Sequence, residues 1–174
     1  MSFFDLAKSR YSVRSFTDKH LDKPVLDIIL TAGHVAPTGC NNQPQRILVI
    51  NTDEGIEKLK KCTKCHFNAP TALLVCYNQD ECWTRKYDGA TSGVIDASIV
   101  CTHMMLQAHE LGVGSCWVMH FNPSAIREEF AIPDIYEPVA LLVMGKPSPD
   151  AKPIDMHSTY RDINETVFFE KFDN

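Results

Sequence analysis

The sequence predicts a single α+β or α/β domain in which helices cover a small central sheet. Short apolar runs alternate along the chain with longer segments of helical periodicity. The 174 residues suffice for one domain with a proper hydrophobic core. The composition, with 44% apolar and 22% charged residues, is that of a globular protein.

The charge and the cysteine content narrow the choice of compartment and partners. The 17 basic and 22 acidic residues give a net charge of −5, and no basic block occurs, which argues against a nucleic-acid partner. The N-terminal residues lack the regions of a signal peptide, and no apolar run approaches membrane length. Seven cysteines, an odd number, suggest reduced thiols. We therefore expect a cytoplasmic protein without a membrane partner.

The first half of the chain predicts three helices and two strands. The second helix has Pro24 in a favourable first-turn position and an apolar stripe that includes Ile28 and Ile29. The two apolar runs have the length and composition of buried strands. In chain order, the predicted elements are a helix at 3–8, a helix at 23–35, a strand at 47–50, a helix at 52–61 and a strand at 72–77.

One long helix dominates the second half, and it would span about 35 Å if fully helical. Apolar side chains cover most of its circumference, which predicts a central helix buried on several sides, while Asp96 and His103 argue against a membrane span. Asn122 is a suitable N-cap for a short helix that has Pro123 at its first position. These elements are a helix at 89–111, a strand at 116–118, a helix at 123–130 and a strand at 138–144.

Two motifs have the outline of a cofactor or metal site but do not meet its requirements. Cys62, Cys65 and His66 match the haem c attachment motif, but covalent haem attachment requires export. A zinc site needs a second ligand pair, and a redox dithiol normally opens a helix instead of following one. Gly112 and Gly114 lack the third glycine of a dinucleotide fingerprint and precede a strand. The sequence thus predicts neither a metal site nor a Rossmann fold.

Two polar segments remain as candidate binding sites. If residues 10–14 are extended, Arg10, Ser12 and Arg14 lie on one side, where two guanidinium groups and a hydroxyl suit a phosphate. The alternative is a solvated basic turn. The loop at 36–44 concentrates carboxamides that can hydrogen-bond the edge of a heterocycle, although such loops also occur as solvated turns.

Four segments in the same order resemble the nitroreductase family of FMN flavoproteins, and the resemblance covers nearly the whole chain. The family opens with Arg-x-Ser-x-Arg after a short helix, as at 10–14. It continues with Ala-Pro-Ser-x-x-Asn-x-Gln-Pro, matched here by Ala-Pro-Thr-Gly-Cys-Asn-Asn-Gln-Pro at 36–44. A Leu-Gly-x-Gly-x-x-Trp segment follows at 111–117, and an apolar strand that ends in Gly-x-Pro lies at 139–147.

The resemblance implies an α+β three-layer sandwich with a small, mainly antiparallel central sheet, helices on both faces and an intertwined homodimer. It implies one FMN-binding domain over residues 1–174, with the residues at 37–39 reaching the FMN of the partner subunit. The implied cofactor-binding residues are Arg10, Tyr11, Ser12, Arg14, Pro37, Thr38, Gly39, Asn41, Met119, His120, Gly145, Lys146 and Arg161.

The resemblance also assigns roles to these residues. The segment 10–14 would hold the FMN phosphate, partly through the backbone of Tyr11, and Lys146 and Arg161 would add positive charge. Asn41 would hydrogen-bond the pyrimidine edge of the isoalloxazine. The residues at 119–120 would lie beside the ring, with a backbone N–H near N5.

Two positions depart from the family pattern. Gln45 replaces a frequent aromatic residue, which bears on packing under the flavin ring. His120 replaces a frequent glycine and would place a titratable group near a bound substrate.

The implied activity is that of an NAD(P)H-dependent FMN oxidoreductase. NADH or NADPH would deliver hydride to the flavin, and a nitroaromatic compound, a quinone or a similar small acceptor would then bind the same face, which gives ping-pong kinetics. No side chain is expected to act as a nucleophile. Two alternatives stay open: a family branch with another reaction, such as reductive dehalogenation or flavin cleavage, and a flavin-binding storage or redox-sensing protein that would use Cys40.

The C-terminal tail carries apolar residues after a polar, proline-interrupted stretch. Several phenylalanines left in water would be an unusual end for a soluble chain. The tail would either fold back on its own subunit or, as the resemblance implies, wrap across the dimer. The residues concerned are Val167, Phe168, Phe169 and Phe172.

Overall fold

Strands form the middle layer of the protein, which a computed structural model describes over residues 2–172. Residues 1, 173 and 174 of the predicted domain lie outside the described part. The strands lie in the order β1-β2-β4-β3, and each neighbouring pair is antiparallel. Their bounds are β1 Gln45–Ile50, β2 Thr71–Asn78, β3 Gly114–Val118 and β4 Tyr136–Gly145.

Helices cover both faces of this sheet. Their bounds are α1 Phe3–Ser9, α2 Lys23–His34, α3 Asp53–Cys62, α4 Gly93–Glu110 and α5 Pro123–Glu129. The helices α2 and α4 pack on one face of the sheet, and α3 and α5 pack on the other. This arrangement confirms the predicted α+β three-layer sandwich around a small antiparallel sheet.

The inner strand β2 shows why the protein has two hydrophobic cores. Successive side chains of a strand point to opposite faces of the sheet. Leu73 and Val75 therefore pack with α2 and α4, whereas Leu74 and Cys76 pack with α3 and α5. All four are buried, which explains the uninterrupted apolar run in the sequence.

Local capping signals set several helix boundaries. Ser2 and Asp5 form a capping box at the start of α1. The side chain of Asn122 accepts hydrogen bonds from the backbone N–H groups of Ser124 and Ala125, which confirms the predicted N-cap of α5.

The long helix α4 begins at Gly93, later than the predicted start at 89. The preceding residues form a tight turn instead, the 84–91 hairpin, in which Thr84 pairs with Thr91. Gly89 has a φ of 74°, a left-handed conformation that glycine adopts without a steric penalty. The prediction therefore placed the start of the helix four residues too early, inside a turn that Gly89 makes possible.

One side of α4 stays exposed in the single chain, so the predicted burial is wrong for that side. Val94 and Ile95 are 51% and 62% exposed. Nearby, α1, α2 and α4 border an open groove of about 570 Å³ whose lining includes Phe3, Ile28 and Leu106. The apolar residues of α4 thus exceed what this fold covers by itself.

The strand β1 is less buried than predicted because it lies at the edge of the sheet. Leu48 and Val49 are partly exposed, and only Ile50 of this strand is buried. An edge strand has a neighbour on one side only, so its side chains receive less cover than those of β2.

Candidate functional site

The chain that follows α1 is extended and pairs with the outer strand β3. Ser12 pairs with Ser115, and the Val13 N–H donates to the Ser115 carbonyl oxygen at 2.9 Å. Gly114 permits this close approach, since a Cβ there would lie 2.8 Å from the Val13 side chain. The alternation of an extended chain buries Val13 and leaves Ser12 and Arg14 accessible.

A cavity of about 360 Å³ opens on this segment. The Tyr11 hydroxyl donates to the Ala151 carbonyl oxygen at 3.4 Å, and the ring meets His157 edge-on at 6.1 Å between centroids. These contacts bring the C-terminal tail over the segment. The lining combines Arg10, Tyr11, Ser12 and Arg14 with the tail residues Ile154, Met156, His157 and Tyr160.

The positive charge of the two arginines reaches neighbouring side chains. The pKa of His109 is lowered, first by burial and then by repulsion from Arg10. Burial raises the pKa of the Cys116 thiol, while Arg14 and a hydrogen bond with Ser12 oppose that increase. Two guanidinium groups and a hydroxyl at one cavity are a donor set that suits a phosphate.

The strand β3 leads from this cavity to Met119 and His120. Ser115, which pairs with Ser12, lies four residues before Met119, a separation of roughly 13 Å in an extended chain. Met119 is 67% exposed, and His120 is exposed as well. The Thr63 hydroxyl donates to the His120 carbonyl oxygen and holds this strand end in place.

The loop after α3 also contacts the extended segment, a contact that the sequence does not predict. The Arg14 guanidinium lies 5.9 Å from the centroid of the Phe67 ring. The Cys62, Cys65 and His66 motif begins at the last residue of α3 and continues into this loop, and both cysteines are free thiols. No local pattern marks Phe67 as a site residue, because its contact with Arg14 depends on the tertiary fold.

The second predicted segment, the 36–44 loop, contacts the end of α4 that lies opposite the cavity. The Gly39 N–H donates to Asp96 Oδ1 at 2.8 Å in the first turn of α4, whereas the Ser9 hydroxyl bonds to His109 Nε2 at 2.9 Å in the last turn. Asp96 and His109 are thirteen positions apart, which is roughly 20 Å along a helix. Within one chain, the 36–44 loop is therefore remote from the cavity.

The backbone of this loop is unusual. Cys40, Asn41 and Gln43 have φ values of 50°, 56° and 52°, although none of them is glycine. The Gln43 N–H donates to Thr38 Oγ1 at 3.0 Å, which closes the loop on itself. Pro37 and Asn41 are exposed, and Thr38 and Gly39 are partly exposed.

The three remaining predicted residues lie in two places. Gly145 ends β4, where a Cβ would lie 2.8 Å from a proline ring, and Lys146 follows it with an exposed side chain. The Lys146 carbonyl oxygen accepts from the Thr17 N–H at 2.9 Å, which places this turn beside the extended segment. Arg161 is exposed, pairs with Glu165 at 3.3 Å and is not among the residues that line the cavity.

The cavity and the adjoining strand fit an FMN molecule. The cationic donor set suits its phosphate, and the exposed end of β3 offers a surface for its planar ring. Among residues 2–172, no three His, Cys, Asp or Glu side chains group as a metal site. No helix in the same range has the length and apolar character needed to cross a membrane.

Comparisons with known proteins agree with this geometry. The model of the nitroreductase family matches residues 7–75 and 64–146. The structure of a nitroreductase family protein from Clostridium difficile 630 is 46% identical, with a TM-score of 0.93 over 99% of this chain and 100% of that one. An FMN-dependent nitroreductase from Clostridium difficile R20291 is 27% identical, with a TM-score of 0.79 over 98% and 100% of the two chains.

A curated relative extends the comparison. An NADPH-dependent oxidoreductase of Staphylococcus aureus strain USA300 is 24% identical in an alignment that covers 98% of this chain and 78% of the relative. The family match covers most of the chain and includes the extended segment, the 36–44 loop and the end of β3. The chain belongs to the nitroreductase family.

Proposed function

We propose that this protein is an FMN-dependent oxidoreductase that uses NADH or NADPH to reduce nitroaromatic compounds, quinones or similar small acceptors. The observation that carries the proposal is the cavity where Arg10, Ser12 and Arg14 converge beside β3. The structural relative described as an FMN-dependent nitroreductase supports the cofactor. The relative described as an NADPH-dependent oxidoreductase supports the reductant.

In this proposal, the chain binds and orients the cofactor. FMN, when bound, supplies the redox chemistry between the nicotinamide and the acceptor. Arg10 and Arg14 neutralise the phosphate, and Ser12 donates a hydrogen bond to it. Met119 and His120 flank the ring at the exposed end of β3, where the imidazole can donate a proton to a bound acceptor. Lys146 and Arg161 add positive charge at longer range.

The proposed site is completed by a second copy of the chain. The loop that carries Pro37, Thr38, Gly39 and Asn41 is bonded to the first turn of α4, and Ser9, beside the cavity, bonds to the last turn. These two contacts lie roughly 20 Å apart along the helix. A homodimer would bring this loop to the flavin of the partner, where the amide of Asn41 would hydrogen-bond the ring. The exposed apolar side of α4 and the adjacent groove support such an assembly.

The chemistry of the thiols supports a reducing compartment, so we place the enzyme in the cytoplasm. All seven cysteines are free, and four of them are buried. Burial raises the pKa of Cys76 to about 11, which keeps that thiol protonated and unreactive at neutral pH.

Anaerobic titration of the purified protein tests the proposal. The protein should be yellow, and its visible flavin absorption should bleach on addition of NADH or NADPH and return on addition of a quinone or a nitroaromatic compound. A colourless protein that takes up no FMN would contradict the proposal. A yellow protein that neither reductant bleaches would instead favour the flavin-storage or redox-sensing alternative, in which the exposed Cys40 is the reactive group.

A further inference from the structure

The first turn of α4 contains a buried carboxylate with no role in the predicted site. Asp96 is only 2% exposed, yet both of its oxygens accept hydrogen bonds. Oδ1 accepts from the Gly39 N–H at 2.8 Å, and Oδ2 accepts from the Ser92 hydroxyl at 2.6 Å. A charged group is rarely buried to this extent unless its hydrogen bonds have a specific task.

Ser92 extends this network instead of capping the helix. It occupies the N-cap position of α4, but its side chain makes no capping hydrogen bond. Its hydroxyl oxygen accepts from the Trp83 N–H at 3.2 Å while the hydroxyl proton goes to Asp96. The carboxylate therefore connects α4, the 36–44 loop and the base of the 84–91 hairpin.

The fit around Gly39 shows how tightly the loop is held against this network. A Cβ on Gly39 would lie 3.0 Å from the Trp83 Cβ and 3.1 Å from the Ser92 Oγ. Directly after this contact, Cys40 and Asn41 adopt positive φ values, which are costly for residues with a side chain. Such a conformation persists only when its surroundings determine it, and the hydrogen bond from Gly39 to Asp96 supplies that constraint.

We propose that Asp96 is the positioning residue of the flavin-binding loop, because its carboxylate fixes the backbone at Gly39 and thereby the amide of Asn41. The proposal rests on the proposed function, in which this loop meets the flavin ring of the partner. Asp96 does not touch the flavin. It acts through Gly39, with Ser92 as its second hydrogen-bond partner.

The test compares Asp96→Asn with Arg14→Ala in the full-length protein, with FMN as the probe. The carboxamide that replaces the carboxylate keeps the volume of the side chain but offers one neutral acceptor oxygen and an N–H donor, so the Gly39 N–H loses its charge-assisted hydrogen bond. We expect FMN to bind at least about tenfold more weakly, as for the loss of a hydrogen bond to a charged group. At saturating FMN, the visible spectrum and the reduction potential should also differ from those of the wild type. Arg14→Ala should weaken FMN binding but leave the spectrum at saturation unchanged.

Two further variants keep the test decisive. Val100→Ala removes buried volume from the same helix, so it measures what a mere loss of stability does to the flavin. Ser92→Ala removes one donor to Asp96 without removing a helix cap. It should shift the spectrum in the same direction as Asp96→Asn, and it takes the place of that variant if Asp96→Asn does not fold.

The outcomes separate this inference from the proposed function. If the wild type binds no FMN, the proposed function fails. If the wild type binds FMN and the folded variants of Asp96 and Ser92 match its affinity, spectrum and potential, the positioning role is overturned. The same holds if Val100→Ala reproduces their spectral change, because the effect would then follow stability and not loop position.

Discussion

Arg10 and Arg14 form the phosphate end of the proposed site, so removal of either charge should release FMN. A hydrogen bond to a charged group contributes roughly 1.5–3 kcal/mol, and we expect Arg10→Ala or Arg14→Ala to weaken FMN binding about tenfold or more. Arg85→Ala is the matched control, because Arg85 bonds to Asp88 in the 84–91 hairpin and does not line the cavity. FMN retained after filtration measures the effect. Full retention in both site variants would contradict the assignment.

His109 connects the same region to stability at low pH. Burial, and then repulsion from Arg10, lower the pKa of His109 in the folded state below its ordinary value of 6.5. The unfolded chain therefore binds this proton more readily. The stability that the neutral ring contributes is complete above pH 6.5 and is lost as the pH falls from 6.5 through the lowered folded-state value.

Urea unfolding of the FMN-free protein at neutral and mildly acidic pH checks this dependence. His109→Gln should lose less unfolding free energy on acidification than the wild type, because the variant lacks one of the groups whose pKa is lower in the folded state than in the unfolded state. Some dependence should remain, since the pKa of His66 is also lowered, by burial and then by Lys60 and Lys64. An equal loss in the wild type and the variant would exclude His109 as a contributor.

Individual residues were predictable from the sequence where their roles are local. Asn122 is recognisable as an N-cap because the groups it bonds lie two and three positions away. Arg14 shares a face with Ser12 for the same reason, since alternation in an extended segment is a short-range property. His157 and Phe67 were not predictable, because each contacts the 10–14 segment only through the tertiary fold.

At the scale of the element, the 36–44 loop should contain residues with separable roles. Asn41 is exposed and has a φ of 56°, a conformation that would strain an alanine at this position. Asn41→Gly therefore removes the amide without straining the backbone. We expect this variant to shift the reduction potential of bound FMN or to weaken its binding. The unfolding temperature of the FMN-free protein should change little, because the amide is assigned to the ring of the flavin.

Asn42→Ala is the contrasting variant. The Asn42 Nδ2 donates to the Glu81 carbonyl oxygen at 3.0 Å, which ties the loop to its own chain. Loss of this hydrogen bond should lower the stability of the FMN-free protein by about 1 kcal/mol and leave the flavin potential nearly unchanged. If Asn41→Gly lowered stability while potential and affinity held, Asn41 would be a structural residue of the loop.

The periodicity of the sequence predicted the order and type of the elements, but it did not predict which of their side chains are buried. Apolar runs and helical stripes identify β2 and α4 because both patterns are local. The exposure of Leu48 and Val49 depends on β1 being an edge strand, and chain order does not reveal the spatial order of strands. The start of α4 was misplaced because the residues before Gly93 enter a hairpin through Gly89.

At the scale of the whole molecule, one chain keeps the two parts of the proposed site at opposite ends of α4. The cavity lies near the last turn of α4, and the 36–44 loop is bonded to its first turn. The exposed side of α4 and the groove that includes Phe3 and Ile28 present apolar surface between them. A second chain that covers this surface would bring each loop to the opposite cavity, so flavin binding and dimerisation should be coupled.

The C-terminal tail provides the sharpest test of this coupling. The described tail does not bury its phenylalanines against its own chain, since Phe169 and Phe172 are 84% and 83% exposed. The rings of Phe168 and Phe172 contact each other at 5.2 Å, which covers only part of their surface. Each Phe that a partner buries would stabilise the dimer by roughly 1.5–3 kcal/mol.

Deletion of residues 166–174 should therefore yield monomers or release FMN, because the proposed site needs both chains. Phe168→Ser combined with Phe169→Ser keeps the chain length and should shift the dimer in the same direction, which separates lost apolar burial from lost chain. Ile135→Glu, a charge placed on a partly exposed residue of the connection between α5 and β4, is the control and should leave the dimer intact. Sedimentation at low protein concentration and the flavin absorbance of the same samples measure both properties. A truncated protein that stays dimeric and yellow would show that the tail does not clamp the partner.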